Sequence, residues 1–222
     1  MIDDDDAPQG IVLDRREAVR LLGIFGAGLL ASCAPWEAHG APASGTCIAL
    51  PEQTAGPMFA ANAPKRSDIR AGRPGAPLQL TLNILQLKNG GCRPLPGAHV
   101  DLWQCDASGV YSDDTFLRGY QLTDAAGKTE FTTIYPGWYP GRAVHIHFKV
   151  RSGNSQFASQ LYFDDTLTDR VHAREPYANR TGRRVRNTND GLFSNGGEQL
   201  LLALREQGGK FGSTFNVVLR LG

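Results

Sequence analysis

The sequence predicts an all-β protein, a two-sheet β-sandwich with long loops and one short C-terminal helix. Three observations carry this expectation. Apolar and polar residues alternate over short runs, as half-buried strands require. The runs are separated by turn chemistry, with 26 Gly and 13 Pro among 222 residues. Only one segment spaces its leucines as a helix would. Short strands at turn spacing suit two packed sheets better than a helical bundle.

Pro77 opens the first strand, 77–87, in which Leu78, Leu80, Leu82 and Ile84 alternate with Gln79, Thr81 and Asn83 before Asn89-Gly90-Gly91 ends it. Residues 98–104 alternate in the same way, and these two strands are expected to pair or lie close in one sheet. Strands 118–122 and 129–134 flank the turn Asp124-Ala125-Ala126-Gly127 at hairpin spacing. Further strands are expected at 144–150, 158–163 and 215–221. The expected helix is 198–206, with Leu200, Leu201 and Leu204 facing the body and Gly208-Gly209 as its stop. Residues 164–197 carry Arg170, Arg174, Arg180, Arg183, Arg184 and Arg186 among Asn, Thr, Gly and Asp, without an aromatic ladder. They read as a solvated loop to which no chemistry is assigned.

Ahead of the fold, residues 1–33 read as a signal peptide. Arg15 and Arg16 precede an apolar run, 21–31, too short to span a bilayer but of the length of a signal core. Leu30-Ala31-Ser32-Cys33 resembles a lipobox, with Cys33 as the lipidation site, and the paired arginines resemble a twin-arginine (Tat) signal. Asp3 to Asp6 make the start acidic, and a buried apolar helix is the alternative. Residues 34–46, small and proline-rich, form a flexible tether, leaving 47–222 as one domain. The expected location is the periplasm or cell envelope, with a membrane attachment only through a lipid on Cys33.

Export places Cys47, Cys92 and Cys105 where disulfides persist. A strand of roughly 20 Å separates Cys92 from Cys105, which excludes a direct bridge between them. A bridge would therefore involve Cys47, with its partner left open; reduced core cysteines are the alternative. Lys and Arg total 23 against 22 Asp and Glu, a net charge of +1. No global field gathers nucleic acid or an anionic membrane, and a small-molecule partner fits better. The oligomeric state is open.

The strongest chemical signal is Val144-His145-Ile146-His147-Phe148. Side chains two apart on a strand share a face, so His145 and His147 stand together as potential metal ligands while their neighbours face the core. The preceding Tyr135-Pro136-Gly137-Trp138-Tyr139-Pro140-Gly141-Arg142 turn could hold Tyr139 and Arg142 beside them. Phenolate is a hard donor suited to iron(III). A packing role for Tyr139 is the alternative. His39, in the tether, and His172, in the long loop, are expected to be exposed rather than ligands.

Residues 100–104, Gly109-Val110-Tyr111, Phe116-Leu117-Arg118-Gly119, Thr123-Asp124, Phe131-Thr132-Thr133-Ile134, the 136–142 turn and His145-Ile146-His147-Phe148 together resemble the intradiol ring-cleavage dioxygenases, in particular the protocatechuate 3,4-dioxygenase-like, exported single-chain branch. Thr54-Ala55-Gly56-Pro57 is similar to that branch's N-terminal active-site segment. The resemblance implies that 47–222 is a catalytic domain holding one Fe(III) per chain through Tyr111, Tyr139, His145 and His147. It implies Tyr139, Arg142 and Gln160 as catalytic groups, and Thr54, Gly56, Pro57, Arg142 and Gln160 as substrate-binding residues. Substrates would be O2 and a catechol-type ring, and the product a cis,cis-muconate-type diacid. Met58 stands where the branch often has a substrate-contacting tyrosine, which leaves the catechol itself open. Two other readings are a two-histidine iron(II), copper or zinc site, which would need a further carboxylate, histidine or cysteine, and a non-enzymatic β-sandwich carrier. Neither His99 nor Asp101 has a spacing that recommends it as that further ligand.

Overall fold

The computed structural model describes residues 47–112, 116–180, 182 and 184–221. The expected signal peptide with Cys33, the tether with His39, and Arg183 lie outside these residues.

The described chain is a sandwich of two sheets. The five-stranded sheet is built on β1 (Pro77–Lys88). Along one side β1 pairs antiparallel with β5 (Lys128–Ile134) and then β2 (Gly91–Pro94). On its other side it pairs in parallel with β9 (Lys210–Leu219), which carries the short β8 (Arg205–Gln207) at its edge. The four-stranded sheet has the order β4 (Arg118–Leu122), β3 (His99–Trp103), β6 (His145–Ser152), β7 (Ser155–Tyr162).

Period-two alternation fixes which face each strand buries. Leu78, Leu80, Leu82 and Ile84 of β1 and Phe211, Val217 and Leu219 of β9 meet Val100, Leu102, Ile146, Phe148, Val150 and Leu161 from the other sheet in one core. Each such side chain contributes ~1.5–3 kcal/mol of burial. Phe148→Ala would cost ~3–5 kcal/mol because a rigid two-sheet core cannot collapse onto the space. A one-residue register slip would exchange the core face of β6 for its histidines, so burial also fixes where the histidines point.

Two sequence expectations about pairing are corrected. β1 and β3 do not share a sheet, and β4 and β5 are not a hairpin: β4 pairs with β3, β5 pairs with β1, and the Asp124 turn crosses between the sheets. Residues 64–69 clip the two together, Tyr120 N donating to Pro64 O at 3.0 Å and Thr132 N to Ser67 O at 2.8 Å.

The helix also lies elsewhere. Residues 197–200 form a 3₁₀ turn, and the chain then runs extended because Leu202 N finds Tyr162 O at 2.9 Å beyond the end of β7. Leu200 and Leu202 are buried, a spacing of two rather than a helical one. Among the described residues the α-helix is α1 (Asp165–His172), started by the Asp164 side chain accepting from Leu167 N at 2.7 Å and packed through Thr168 and Val171.

Cys47 is bridged to Cys92, Cα atoms 5.5 Å apart, tying the segment before the sandwich to β2. Cys105 is free and buried, its thiol pushed up to about 12 by burial and by the charge of Asp106.

Candidate metal centre

The face of the four-stranded sheet turned away from the core carries the polar residues. Register places Arg118, Trp103, His147 and Gln160 in one row across its four strands, and Tyr162 opposite His145 in the next. Residues 53–66 cross this face. Gln53 N donates to Ala158 O at 2.9 Å, Arg118 holds Met58 O at 3.1 Å, and Phe59 packs on Trp103 with ring centroids 5.2 Å apart. Trp103 in turn stacks on His147, 5.1 Å away and nearly parallel. Both histidines are thereby buried.

The two tyrosines come from loops folded against each other. Asp106 Oδ1 accepts from Ser108 N and Val110 N at 2.9 and 3.0 Å, making the turn that delivers Tyr111. Asp106 O accepts from Gly137 N at 3.1 Å, in the loop that delivers Tyr139. A Cβ on Gly137 would meet Asp106 O at 2.4 Å, so only glycine lets these backbones approach.

The donor atoms converge. Tyr139 Oη lies 3.2 Å from His145 Nε2, which lies 3.0 Å from His147 Nε2. Tyr111 packs edge-on against Tyr139, centroids 5.6 Å apart, and beside His147 at 6.1 Å. Its buried hydroxyl interacts with that of Tyr139 but makes no well-formed hydrogen bond among the described residues, and neither does His147 Nδ1. Burial, then the neighbouring Cys105 and Tyr139, holds the Tyr111 pKa well above the usual tyrosine value. Burial also raises Tyr139, against which the Arg142 guanidinium works.

His145 Nδ1–H donates to Ala143 O at 2.7 Å, so the lone pair of the neutral ring is on Nε2. Burial followed by the Arg142 charge lowers its pKa to about 4; burial, His145 and Arg142 hold His147 well below its usual value. One lone pair is thus approached by both a phenol and a second imidazole. Two ligand atoms each ~2.1 Å from one cation and at a right angle would stand ~3 Å apart. The crowded nitrogens, the buried phenols and the neutral imidazoles therefore fit a shared cation.

Among the described residues, the further ligand required by a two-histidine iron(II), copper or zinc site is missing. Among the described residues no group of three or more His, Cys, Asp or Glu could hold a metal. His99 and Asp101 lie at the other end of β3, 3.1 Å apart and tied to Arg151. The groups that stand beside the histidine pair are tyrosines, hard oxygen donors of the kind suited to a ferric ion.

Around the centre, Arg142 donates to Gln160 Oε1 at 2.5 Å, and Gln160 Nε2 to Thr54 O at 3.1 Å. Gly56 lies over His147, a Cβ there falling 3.3 Å from its Cε1, whereas Pro57 is exposed. His172 is not exposed as expected: half-buried, it donates to Pro136 O at 2.9 Å and stacks on Tyr177. The residue that sequence reasoning missed is Asp190, buried at 1% exposure and bonded to Arg142 Nε at 2.9 Å. Nothing local marks it within the long arginine-rich stretch. That stretch is itself less solvated than expected, since Arg184 is ion-paired with Asp165 and Asp169, and Arg186 with Asp169.

Comparison with known proteins gives consistent matches. A family model described as Dioxygenase matches residues 54–183. The chain is 30% identical over 176 residues to the protocatechuate 3,4-dioxygenase beta chain of Burkholderia cepacia, covering 70% of this chain and 69% of that one. Its fold is similar to an intradiol ring-cleavage dioxygenase from Tetranychus urticae, with a TM-score of 0.73, 30% identity and coverage of 79% of this chain and 95% of that one. It is also similar to the dioxygenase domain of a dioxygenase carbohydrate-binding protein fusion from Streptomyces sp. SirexAA-E, with a TM-score of 0.64, 32% identity and coverage of 79% and 100%.

Proposed function

The chain belongs to the intradiol ring-cleavage dioxygenases, and on that premise we propose that it is an iron(III) enzyme inserting both atoms of O2 into a catechol-type ring to give a cis,cis-muconate-type diacid. One ferric ion per chain would be held by Tyr111, Tyr139, His145 and His147. The observation that carries this reading is the meeting of Tyr139 Oη, His145 Nε2 and His147 Nε2 within 3.0–3.2 Å steps, beside the buried Tyr111 hydroxyl.

Ferric iron, when bound, supplies the positive charge that stabilises phenolate and catecholate at neutral pH, and a path for ring electrons toward O2. The chain's own residues do the rest. Tyr139, half-buried and beside the Arg142 charge, is the group that takes a proton from the incoming catechol. Tyr111, His145 and His147, held by loop packing and strand register, keep their places throughout. Arg142 remains protonated and offers a fixed positive charge to anionic oxygen on the ring and its products. Gln160, anchored between Arg142 and Thr54 O, presents its amide alongside. Thr54, Gly56 and Pro57 form the substrate-facing wall, and Trp103 with Phe59 excludes water behind His147.

The test is oxygen uptake by purified, iron-supplied protein against catechol, protocatechuate, hydroxyquinol and chlorinated catechols, with product identification. The expected preparation is reddish, contains one iron per chain and consumes one O2 per ring opened. Colourless, iron-free protein that binds a catechol without consuming O2 would instead identify a carrier.

We also propose that the protein is exported, along a twin-arginine route read from Arg15 and Arg16, and anchored through a lipid on Cys33. The Cys47–Cys92 bridge supports an oxidising compartment. Mass spectrometry of the mature N-terminus tests both ideas: an unprocessed Met1 defeats export, and a processed but unmodified Cys33 defeats anchoring alone.

A further inference from the structure

Asp190 lies between α1 and β8, outside the residues that match the family model. Its Oδ2 accepts from Arg142 Nε at 2.9 Å and from Ala143 N at 2.7 Å. Its Oδ1 accepts from Leu192 N and Phe193 N at 2.8 and 3.2 Å. Four N–H donors therefore surround a carboxylate with almost no access to water. That is the condition under which a buried charge is tolerated, and removal of its cationic partner would be costly.

Both arms of the Asp190 contact lead into the metal centre. Along one, the Arg142 guanidinium is fixed at Nε, and its other end reaches Gln160 Oε1 at 2.5 Å and Tyr162 Oη at 3.5 Å. Those oxygens are neutral; Asp190 is the anion that ties Arg142 down. Along the other arm, Ala143 is held by its N–H while its carbonyl takes the His145 Nδ1 proton at 2.7 Å. One carboxylate thus touches the residue that orients His145 and the side chain that faces the reacting oxygens.

We infer that Asp190 is a positioning residue of this enzyme, fixing the Arg142 guanidinium for ring cleavage and, through Ala143, the tautomer and rotation of His145. The inference rests on the catalytic reading of Arg142 given above. A purely structural Asp190 would only close the turn at Leu192 and Phe193.

The experiment is Asp190→Asn in the full chain, alone and combined with Arg142→Gln, with rates expressed per bound iron. Asp190→Asn is expected to lower kcat/KM by about 10–100-fold, of the size seen when orienting partners are removed. In the Arg142→Gln background the further loss should be smaller than in the wild type, because the Arg142 arm is already gone and only the His145 arm remains. A readout independent of turnover is the ¹⁵N signal of His145 in the metal-free protein: a single Nδ1–H tautomer in the wild type, a mixture in Asp190→Asn. If Asp190→Asn does not fold, Asp190→Glu carries the test, keeping the charge one methylene out of place and giving the same pattern in smaller degree. An unchanged tautomer together with additive kinetics, or a fall in melting temperature alone, overturns the inference. Iron-loaded wild type without oxygen uptake would overturn the dioxygenase reading instead, and the tautomer would still decide the role of Asp190 toward His145.

Discussion

His145 Nε2 and His147 Nε2 face each other at 3.0 Å from one strand, both rings kept neutral by burial. Neutral rings can offer lone pairs to a cation at neutral pH, so His147→Ala should lose iron, read as metal per chain and as loss of visible absorbance. Tyr139→Phe should keep close to wild-type iron while losing ~10²–10⁴-fold in kcat, the usual weight of a positioned proton acceptor. The reverse ranking removes Tyr139 from the role of base.

Gly56 has φ +70°, and a Cβ there would stand 3.3 Å from His147 Cε1. Gly56→Ala should cost ~1–2 kcal/mol for the left-handed backbone and displace either the 54–57 segment or the imidazole. The expected result is at least a ~10-fold loss of kcat/KM with a shifted visible band, since small misplacements near reacting groups are expensive. Wild-type kinetics would show that this segment does not border the site.

The Cys47–Cys92 bridge closes a loop of 45 residues. Its removal by Cys47→Ser should cost ~4 kcal/mol, lowering Tm by about 10 °C. Because Gln53, Thr54 and Gly56 follow closely on the bridge, activity should be lost at lower temperature than the global melt. Thermal inactivation and differential scanning calorimetry on the same samples measure the two separately, and coincident midpoints would uncouple the bridge from the site.

Burial lowers the pKa of His172 below its usual 6.5, against the hydrogen bond to Pro136 O. The unfolded chain protonates near 6.5 and the folded chain only at lower pH, so in that interval the unfolded state binds more protons. Stability from this group is complete above pH 6.5 and is lost as pH falls toward the folded value. Urea melts at about pH 7.5 and 5.5 should show wild type losing more stability than His172→Gln, whose amide can still donate to the carbonyl. Equal losses would mean that the histidine stays neutral or is solvated in the fold.

The strands were legible because alternation is a local property: Leu78 to Ile84 and Val144 to Phe148 announce one apolar, core-facing side each. The side-by-side placement of His145 and His147 follows from the same rule. Partnerships were not legible. Nothing near Pro77 says that its strand will lie beside residues 210–219, and the Asp124 turn looks the same whether it joins partners or crosses between layers. The leucines of 198–206 mimic a helix, but an open backbone partner at Tyr162 O decided for an extended chain. In α1 the apolar pattern is too short to see, although Asp164 ahead of Leu167 is a readable cap. Asp190 was invisible because a buried ion pair across 48 positions leaves no periodic trace.

The parallel pairing of β1 with β9 also bears on how the molecule comes to exist. The first strand of the sandwich meets its central neighbour only across some 130 intervening residues, from Leu78 opposite Phe211 to Gln86 opposite Leu219. On a ribosome, the sheet built on β1 stays open until residues 210–219 have emerged, while β6 and β7 can already fold as a hairpin. Such non-local closure is slow, in the range of milliseconds to seconds. The nascent protein therefore passes through a stage in which the histidine-bearing strand is formed but the layer beneath it is unfinished, and truncation within 210–219 should yield insoluble chains rather than a weakened enzyme.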